Sequence, residues 1–120
     1  MRLKEKISII TGAASGFGKG IAEKFSKEGA KLILADINKD LLEKVSKDLN
    51  QDFLHTDVAN SNSMQQLADY VLKKYGTIDI MVNNAGITHL PKPLEEVSED
   101  EFDKVFAVNS KSVFLCGKFF

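Results

Sequence analysis

A glycine-rich turn between a short apolar strand and an amphipathic helix constrains this sequence more than any other feature. The segment KISIIT at residues 6–11 predicts a buried strand, and apolar side chains at helical spacing follow over residues 16–28. Between them, Gly12, Gly16 and Gly18 form the pattern GxxxGxG. Glycine suits positions where the backbone takes a positive φ or approaches a ligand closely, and the N-terminus of a helix attracts phosphate. The turn therefore predicts a pyrophosphate site.

An acidic residue lies at a suitable distance to complete such a site. Eighteen residues beyond Gly18, the apolar run KLILAD ends at Asp36. A carboxylate there would accept hydrogen bonds from an adenosine ribose, and we assign the neighbouring Ile37 to the same site. The alternative is that the glycines only form a tight turn and that Asp36 is an exposed strand end. Strand, turn, helix and acid together favour a dinucleotide cofactor.

Apolar runs alternate with helical periodicity along the whole chain. Besides the elements already mentioned, the pattern predicts strands over 52–57 and 78–83 and helices that open near Asn38, at Ser61 or Ser63, and after Ser98. This alternation is typical of a doubly wound α/β fold, in which all the parallel strands end at one edge of the sheet. Residues 1–120 are therefore predicted to form one Rossmann-type domain, incomplete at its C-terminus and truncated after the helix that follows strand four.

Composition excludes several other classes of protein. The 120 residues carry a formal net charge of −1, which gives no electrostatic reason to expect a nucleic acid or an anionic membrane as a partner. No apolar run approaches the roughly 20 residues that span a bilayer. Cys116 is the one cysteine, which excludes an internal disulfide and favours a reducing, cytoplasmic location. His55 and His89 are far apart in the sequence and do not predict a metal site.

The glycine spacing differs from the GxGxxG of the most familiar dinucleotide-binding fold and resembles that of the short-chain dehydrogenase/reductase family, whose motif is TGxxxGxG. Three more segments match this family in the expected order: Asp57-Val58 after strand three, Asn83-Asn84-Ala85-Gly86 after strand four, and Asn109 within Val108-Asn109-Ser110. The resemblance covers essentially the whole chain. It implies an NAD(P)-dependent oxidoreductase that transfers hydride between nicotinamide and a secondary alcohol or ketone.

The resemblance also implies a role for each matched residue. The diphosphate and its neighbouring ribose would contact Gly12, Ser15, Gly16, Phe17 and Gly18, the adenine edge would contact Asp57 and Val58, and the ribose on the nicotinamide side would contact Asn84, Ala85 and Gly86. Asn109 would belong to the catalytic set. As alternatives, Asn83 and Asn84 could be a structural pair at a strand end, and Asn109 could cap the start of a helix.

The charges near the second strand favour NAD(H) over NADP(H). A carboxylate at Asp36 accepts ribose hydroxyls but repels a 2′-phosphate, and Ser15 adds no positive charge, although Lys39 lies close by in sequence. The family resemblance further implies a small-molecule alcohol or carbonyl substrate and a homo-oligomer, either a dimer or a tetramer.

The family's catalytic serine and its tyrosine–lysine pair are absent from these 120 residues. Tyr70 and Lys74 have YxxxK spacing, but they precede the asparagine motif, so we expect them on a helix flank. Residues 1–120 alone are therefore predicted to be inactive, and the apolar segment from Val113 to Phe120 is predicted to be exposed and to promote self-association.

Two other classes of protein compete with the enzyme interpretation. The first is a non-catalytic nucleotide-binding or interaction module. The second is a receiver-type signalling domain, which has a similar length and an aspartate after strand three, as Asp57 is here. That domain also needs an acidic pair after strand one to bind magnesium, whereas this chain has Thr11 and Gly12 there. The sequence therefore argues against a receiver domain.

Overall fold

A parallel β-sheet forms the centre of the molecule. The structure is a computed structural model that describes residues 1–87 and 91–120. Within that range the sheet has four strands: β1 (Ile7–Thr11), β2 (Lys31–Asp36), β3 (Asp52–His55) and β4 (Ile80–Val82). Their order is β3-β2-β1-β4, and each neighbouring pair is parallel. The predicted doubly wound α/β class is confirmed.

Five α-helices connect or follow the strands in the described residues. They are α1 (Gly16–Lys27), α2 (Lys39–Leu49), α3 (Ser61–Tyr75), α4 (Glu99–Phe106) and α5 (Ser112–Phe119), with a short 3₁₀ helix at Leu94–Glu96. A π-helical turn, Ala107–Lys111, joins α4 to α5. Among the described residues, no helix combines the length and the apolar character that crossing a membrane requires.

Side-chain oxygens determine where three of these helices begin. Asn38 caps α2 by accepting a hydrogen bond from the Leu41 N–H at 3.1 Å, and Ser98 caps α4, as their sequence positions predict. For α3, neither Ser61 nor Ser63 is the cap. Instead, the Asn60 side chain accepts from the Ser63 N–H at 2.9 Å, because asparagine supplies the same acceptor one residue earlier.

The two faces of the sheet bury separate apolar cores. Alternate side chains of β1 point to opposite faces, so Ile9 packs with residues of α3 and α5, and Ile10 packs with residues of α1 and α2. Leu67 from α3 and Leu42 from α2 are fully buried in the respective cores. Burial of each such side chain stabilises the fold by about 1.5–3 kcal/mol. Helices on both faces leave the ends of the strands free to form a site.

Strands β3 and β4 are shorter than predicted. The ladder of β3 ends at His55 rather than at residue 57, because the Asp57 N–H donates to the Ser63 hydroxyl at 2.8 Å. Similarly, β4 ends at Val82, and the Asn84 N–H donates to the Thr11 hydroxyl at 3.1 Å. In both places a side chain replaces the next ladder partner, and the chain leaves the sheet there.

The C-terminal apolar segment is only partly exposed. Leu115 is buried, so its predicted exposure is wrong, and Phe119 and Phe120 pack partly buried against the core beside α3. The reason is that the segment is helical and turns one side toward the core. Val113 and Phe114 lie on the other side and are 51% and 65% exposed.

Candidate functional site

The predicted motifs meet at one cleft of about 470 Å³ at the carboxyl ends of the strands. Its lining includes the predicted residues Gly12, Ser15, Gly16, Phe17, Asp36, Ile37, Asp57, Val58, Asn84, Ala85 and Gly86. The cleft lies where the chain order reverses, since the neighbours of β1 are β2 on one side and β4 on the other. Such a switch point is the usual ligand site of open α/β sheets, and the volume is ordinary for a small-molecule site.

The hydroxyl of Thr11 joins the glycine turn to the segment after β4. Thr11 is buried at the end of β1, and its Oγ1 accepts hydrogen bonds from the backbone N–H groups of Asn84 and Ala85, each at 3.1 Å. The same hydroxyl donates to the Val82 carbonyl at 3.3 Å. The Asn84 side-chain amide donates to the Gly12 carbonyl, also at 3.3 Å. Two walls of the cleft are therefore held in a fixed relative position.

The three motif glycines are required for different reasons. Gly12 and Gly16 have φ values of +65° and +56°, in the left-handed region that favours glycine. Gly18 has no such φ, but a Cβ there would collide with the Gly12 carbonyl oxygen. Gly18 therefore lies beneath the turn and lets α1 approach it closely, while Gly12 and Gly16 line the cleft.

The carboxylate of Asp36 is held at the end of β2 by two backbone groups. One oxygen accepts from the Ala14 N–H at 3.0 Å and the other from the Asn38 N–H at 2.9 Å. These bonds connect the glycine turn to the start of α2. Each carboxylate oxygen has a further lone pair with which it can accept a hydrogen bond from a ligand hydroxyl.

Asp57 and Val58 form another part of the cleft wall, just after β3. An Asp57 carboxylate oxygen accepts from the Ala59 N–H at 3.0 Å, and this closes a tight turn. Val58 is 7% exposed and belongs to the core beside α3. The turn therefore presents one carboxylate and the edge of an apolar side chain to the cleft.

Asn109 lies in the π-helical turn and contacts the loop after β4. Its Oδ1 accepts from the Ile87 N–H, and its Nδ2 donates to the Ile87 carbonyl, both at 2.7 Å. The helix is continuous through this position, so the alternative that Asn109 caps a helix start is wrong. Asn109 does not line the cleft, but Ile87 does. Single π-turns inside α-helices are frequent at functional sites.

The Tyr70–Lys74 pair lies at the opposite edge of the sheet. Asp52 is the first residue of β3, and its Oδ2 accepts from the Tyr70 hydroxyl at 2.7 Å and from Lys74 Nζ at 2.9 Å. Burial and the hydrogen bond to Asp52 raise the pKa of Tyr70. A phenol that exchanges protons in catalysis needs its pKa lowered instead. The position of Tyr70 and its raised pKa therefore both argue against proton transfer by Tyr70 at the cleft. The sequence likewise predicts that this residue lies on a helix flank.

Among the described residues, four that line the cleft were not predicted from sequence: Thr56, Ile87, Lys104 and Val108. Three of them, Thr56, Ile87 and Val108, adjoin predicted residues in the sequence. Lys104 lies one helical turn before Val108, and that spacing is the signal that could have found it. In the described residues, no group of three or more acidic, histidine or cysteine side chains is placed to hold a metal ion. His89, the second of the two histidines, lies outside the described residues.

Comparison with known proteins agrees with this geometry. Residues 6–120 match the family model described as short chain dehydrogenase. The chain is 42% identical to the uncharacterized oxidoreductase YxbG of Bacillus subtilis (strain 168), over 98% of this chain and 45% of that protein. It is also 42% identical to zerumbone synthase of Zingiber zerumbet, over 96% of this chain and 45% of that protein.

Two solved structures superpose closely on the chain. A 3-ketoacyl-(acyl-carrier-protein) reductase from Brucella melitensis complexed with NADH has a TM-score of 0.93 at 37% identity, and covers 97% of this chain and 48% of that one. A short chain dehydrogenase/reductase from Burkholderia phymatum in complex with NAD has a TM-score of 0.95 at 34% identity, and covers 100% of this chain and 44% of that one. The chain thus spans slightly less than half the length of these relatives. The family-model match over nearly the whole chain, together with the cleft motifs, shows that it belongs to the short-chain dehydrogenase/reductase family.

Proposed function

We propose that this chain forms the cofactor-binding part of an oxidoreductase that transfers hydride between a nicotinamide dinucleotide and a secondary alcohol or ketone. The observation that carries the proposal is the cleft at the switch point of the sheet, where a glycine turn that leaves no room for a Cβ at Gly12 and Gly18 lies beside the ends of the other strands. When bound, the nicotinamide ring would donate or accept the hydride. The chain's own residues would bind and orient the cofactor.

The residues present fit a dinucleotide. At Gly12 a Cβ would lie 2.9 Å from the Asn84 side-chain amide, so bare backbone faces the cleft there. The turn leads into the N-terminus of α1, which favours a phosphate. Asp36 and Asp57 offer acceptors for ribose and adenine groups. The solved relatives bound to NADH and to NAD support the same class of cofactor.

Asn84, Ala85 and Gly86 would border the ribose on the nicotinamide side. Ala85 is held by Thr11, and a Cβ at Gly86 would lie 3.4 Å from the Asn109 Oδ1, so this wall is closely packed. Asn109 would act on the site through Ile87. Its place in the catalytic set follows from the family motif and is supported by these contacts.

The cofactor of choice in this proposal is NAD(H). The Asp36 carboxylate lines the cleft, and Ser15 is exposed and neutral where a basic residue would favour a 2′-phosphate. The exposed Lys39 at the start of α2 works against the preference.

Isothermal titration with NADH and NADPH tests the assignment. We expect Asp36→Ala to weaken NADH binding and to reduce the preference for NADH over NADPH, whereas Asp40→Asn, an exposed change on α2, should leave both affinities unchanged. Tighter binding of NADPH by the wild type would refute it.

The substrate class follows from the same proposal. A panel of secondary alcohols and ketones, including sugars, steroids, acyl thioesters and small ketones, should reveal turnover in the protein that carries this chain, read as oxidation or reduction of the nicotinamide. The competing proposal is a dinucleotide-binding module without catalysis. This alternative is favoured because Tyr70 and Lys74, which have the spacing of a catalytic pair, lie at the edge of the sheet opposite the cleft. Tight NADH binding with no turnover across the panel would support that second candidate.

A homo-oligomer is also part of the proposal. On α4 and α5, the side chains of Phe102, Phe106, Val113 and Phe114 are each more than half exposed, and the two rings of α4 stack with centroids 6.0 Å apart. Exposed apolar groups of this kind favour association. Light scattering should give a dimer or tetramer, and Phe106→Asp with Phe114→Asp should shift it toward the monomer. The cytoplasmic location stays a prediction that rests on the single cysteine.

A further inference from the structure

Lys104 supplies a positive charge to a cleft whose other ionised side chains are acidic. Among the described residues that line the cleft, Asp36 and Asp57 are carboxylates and Lys104 is the one cation. Both carboxylates already accept backbone N–H groups. Lys104 takes part in none of the ion pairs formed among the described residues. Its ammonium group is therefore not neutralised by a described neighbour.

Lys104 lies on the side of α4 that lines the cleft. It lies four residues before Val108, on the same side of the helix, and both residues line the cleft together with Ile87. The Asn109 side chain fixes Ile87 against the helix through two hydrogen bonds of 2.7 Å. The stem of Lys104 therefore starts from a helix that is hydrogen-bonded to the cleft loop, and the residue is exposed.

Nearby lysines do not share this environment. Lys92 forms a 2.6 Å ion pair with Glu101. Lys111 lies seven residues after Lys104 in the π-helical turn, is exposed, and does not line the cleft. Lys111 is therefore a matched control of the same residue type on the same continuous helix.

We propose that Lys104 is a binding residue for the phosphates of the dinucleotide and contributes to affinity through its charge. This inference rests on the proposed function, since it assigns a residue to the same cleft. The diphosphate is anionic, and two carboxylates in the cleft repel it. An ammonium at the cleft, supplied by α4, offsets that repulsion and adds to the positive end of α1. Because Lys104 is exposed, its contact with the diphosphate should change the binding affinity about as much as a surface ion pair does.

Binding measurements on the protein that carries this chain test the proposal without relying on turnover. NADH and ADP-ribose are titrated calorimetrically, and adenosine, which has no phosphate, is measured by its displacement of NADH. At low salt, Lys104→Gln should weaken binding of NADH and ADP-ribose about two- to fivefold, the range of an exposed ion pair. Affinity for adenosine should not change. Lys104→Arg should restore most of the loss, and Lys111→Gln should behave as wild type.

Salt concentration supplies an independent measurement. Screening shortens the reach of an exposed charge to about 8 Å at physiological ionic strength and about 3 Å at 1 M. The difference between wild type and Lys104→Gln should therefore shrink as salt rises. Unchanged affinity for the two phosphate ligands in Lys104→Gln, or an equal loss for adenosine, would overturn the proposal while leaving the cofactor site intact. Absence of NADH binding in the wild type would instead refute the proposed function, and this inference with it.

Discussion

The side-chain amide of Asn109 satisfies both backbone groups of Ile87. Its oxygen accepts from the Ile87 N–H and its nitrogen donates to the Ile87 carbonyl, each at 2.7 Å. The π-helical turn that contains Asn109 thereby fixes the loop after β4 at the wall of the cleft. A primary amide presents an acceptor and a donor side by side in this way, whereas a carboxylate presents acceptors alone. The residue type is thus explained by geometry before any catalytic role is invoked.

Substitution of Asn109 should weaken cofactor binding through Ile87. Asn109→Ala removes both hydrogen bonds and should lower the free energy of unfolding by about 1 kcal/mol. The affinity for NADH should fall as well, because the loop loses its fixed position. Asn109→Asp should do no better, since its second oxygen would face the Ile87 carbonyl and repel it. Asn62→Ala, an exposed change on α3, is the control. Normal affinity in Asn109→Ala would contradict the positioning role.

Two glycines of α1 should respond in opposite ways to the same substitution. Gly18→Ala places a Cβ against the Gly12 carbonyl oxygen, so it should destabilise the protein and disturb the cleft. Gly20 has nothing within 4 Å of its Cβ position and lies inside the helix. Gly20→Ala should therefore stabilise the protein by about 0.5–1 kcal/mol. Urea unfolding measures both changes, and equal effects would refute the close-packing explanation of Gly18.

Local sequence patterns were sufficient for the order of the elements and for most of the cleft. The motif residues at the ends of strands, such as Gly12 and Asp36, were predictable because parallel strands bring their carboxyl ends to one edge. The role of Gly18 was harder to predict, since it depends on how closely α1 approaches the turn. The place of Lys104 depends on the path of the chain between β4 and α4, so its helical spacing to Val108 becomes informative only once Val108 is known to line the cleft. The bonds of Asn109 are likewise long-range.

The cluster around Asp52 should make stability depend on pH at both extremes. Burial alone would raise the pKa of Asp52, but hydrogen bonds from Lys74, Tyr70 and Tyr75 hold it below its usual value of 3.8. A lowered pKa in the folded state contributes stability above pH 3.8 that is lost as pH falls further. Burial and the bond to Asp52 raise the pKa of Tyr75 from 10.0 to about 12. Its contribution is complete below pH 10 and is lost as pH rises toward 12.

Asp52→Asn tests this dependence. At neutral pH the variant should be less stable by about 1–2 kcal/mol, because three donors lose a charged acceptor. The difference from wild type should narrow both below pH 3.8 and between pH 10 and 12, the windows given by the shifted pKa values. Asp48→Asn, an exposed change on α2, should show no such dependence. A difference that stays constant across the pH range would argue against ionic stabilisation by the cluster.

Two buried serines should give changes of opposite sign. The Ser8 hydroxyl on β1 is fully buried and has no hydrogen-bond partner among the described residues. Ser8→Ala removes an unsatisfied polar group and should stabilise the protein by about 1 kcal/mol. The Ser46 hydroxyl, also buried, donates to the Gln51 carbonyl. Ser46→Ala should destabilise by a similar amount. Thermal unfolding of both variants measures the contrast, and a loss of stability in Ser8→Ala would refute the argument.

Residues 1–120 expressed alone should bind NADH but should not oxidise secondary alcohols. The chain contains two tyrosines, and both donate to Asp52 at the edge of the sheet opposite the cleft. Positioned acid–base groups contribute about 10²–10⁴ to a rate, and no phenol is placed to supply that here. The exposed apolar side of α4 and α5 should also make this segment self-associate, which light scattering would detect. Tyr70→Phe is the decisive control. If residues 1–120 turn over substrate and Tyr70→Phe abolishes that turnover, the separation of Tyr70 from the cleft is wrong. A phenol with a purely structural role would change the stability of the protein but would leave the rate of turnover unaltered.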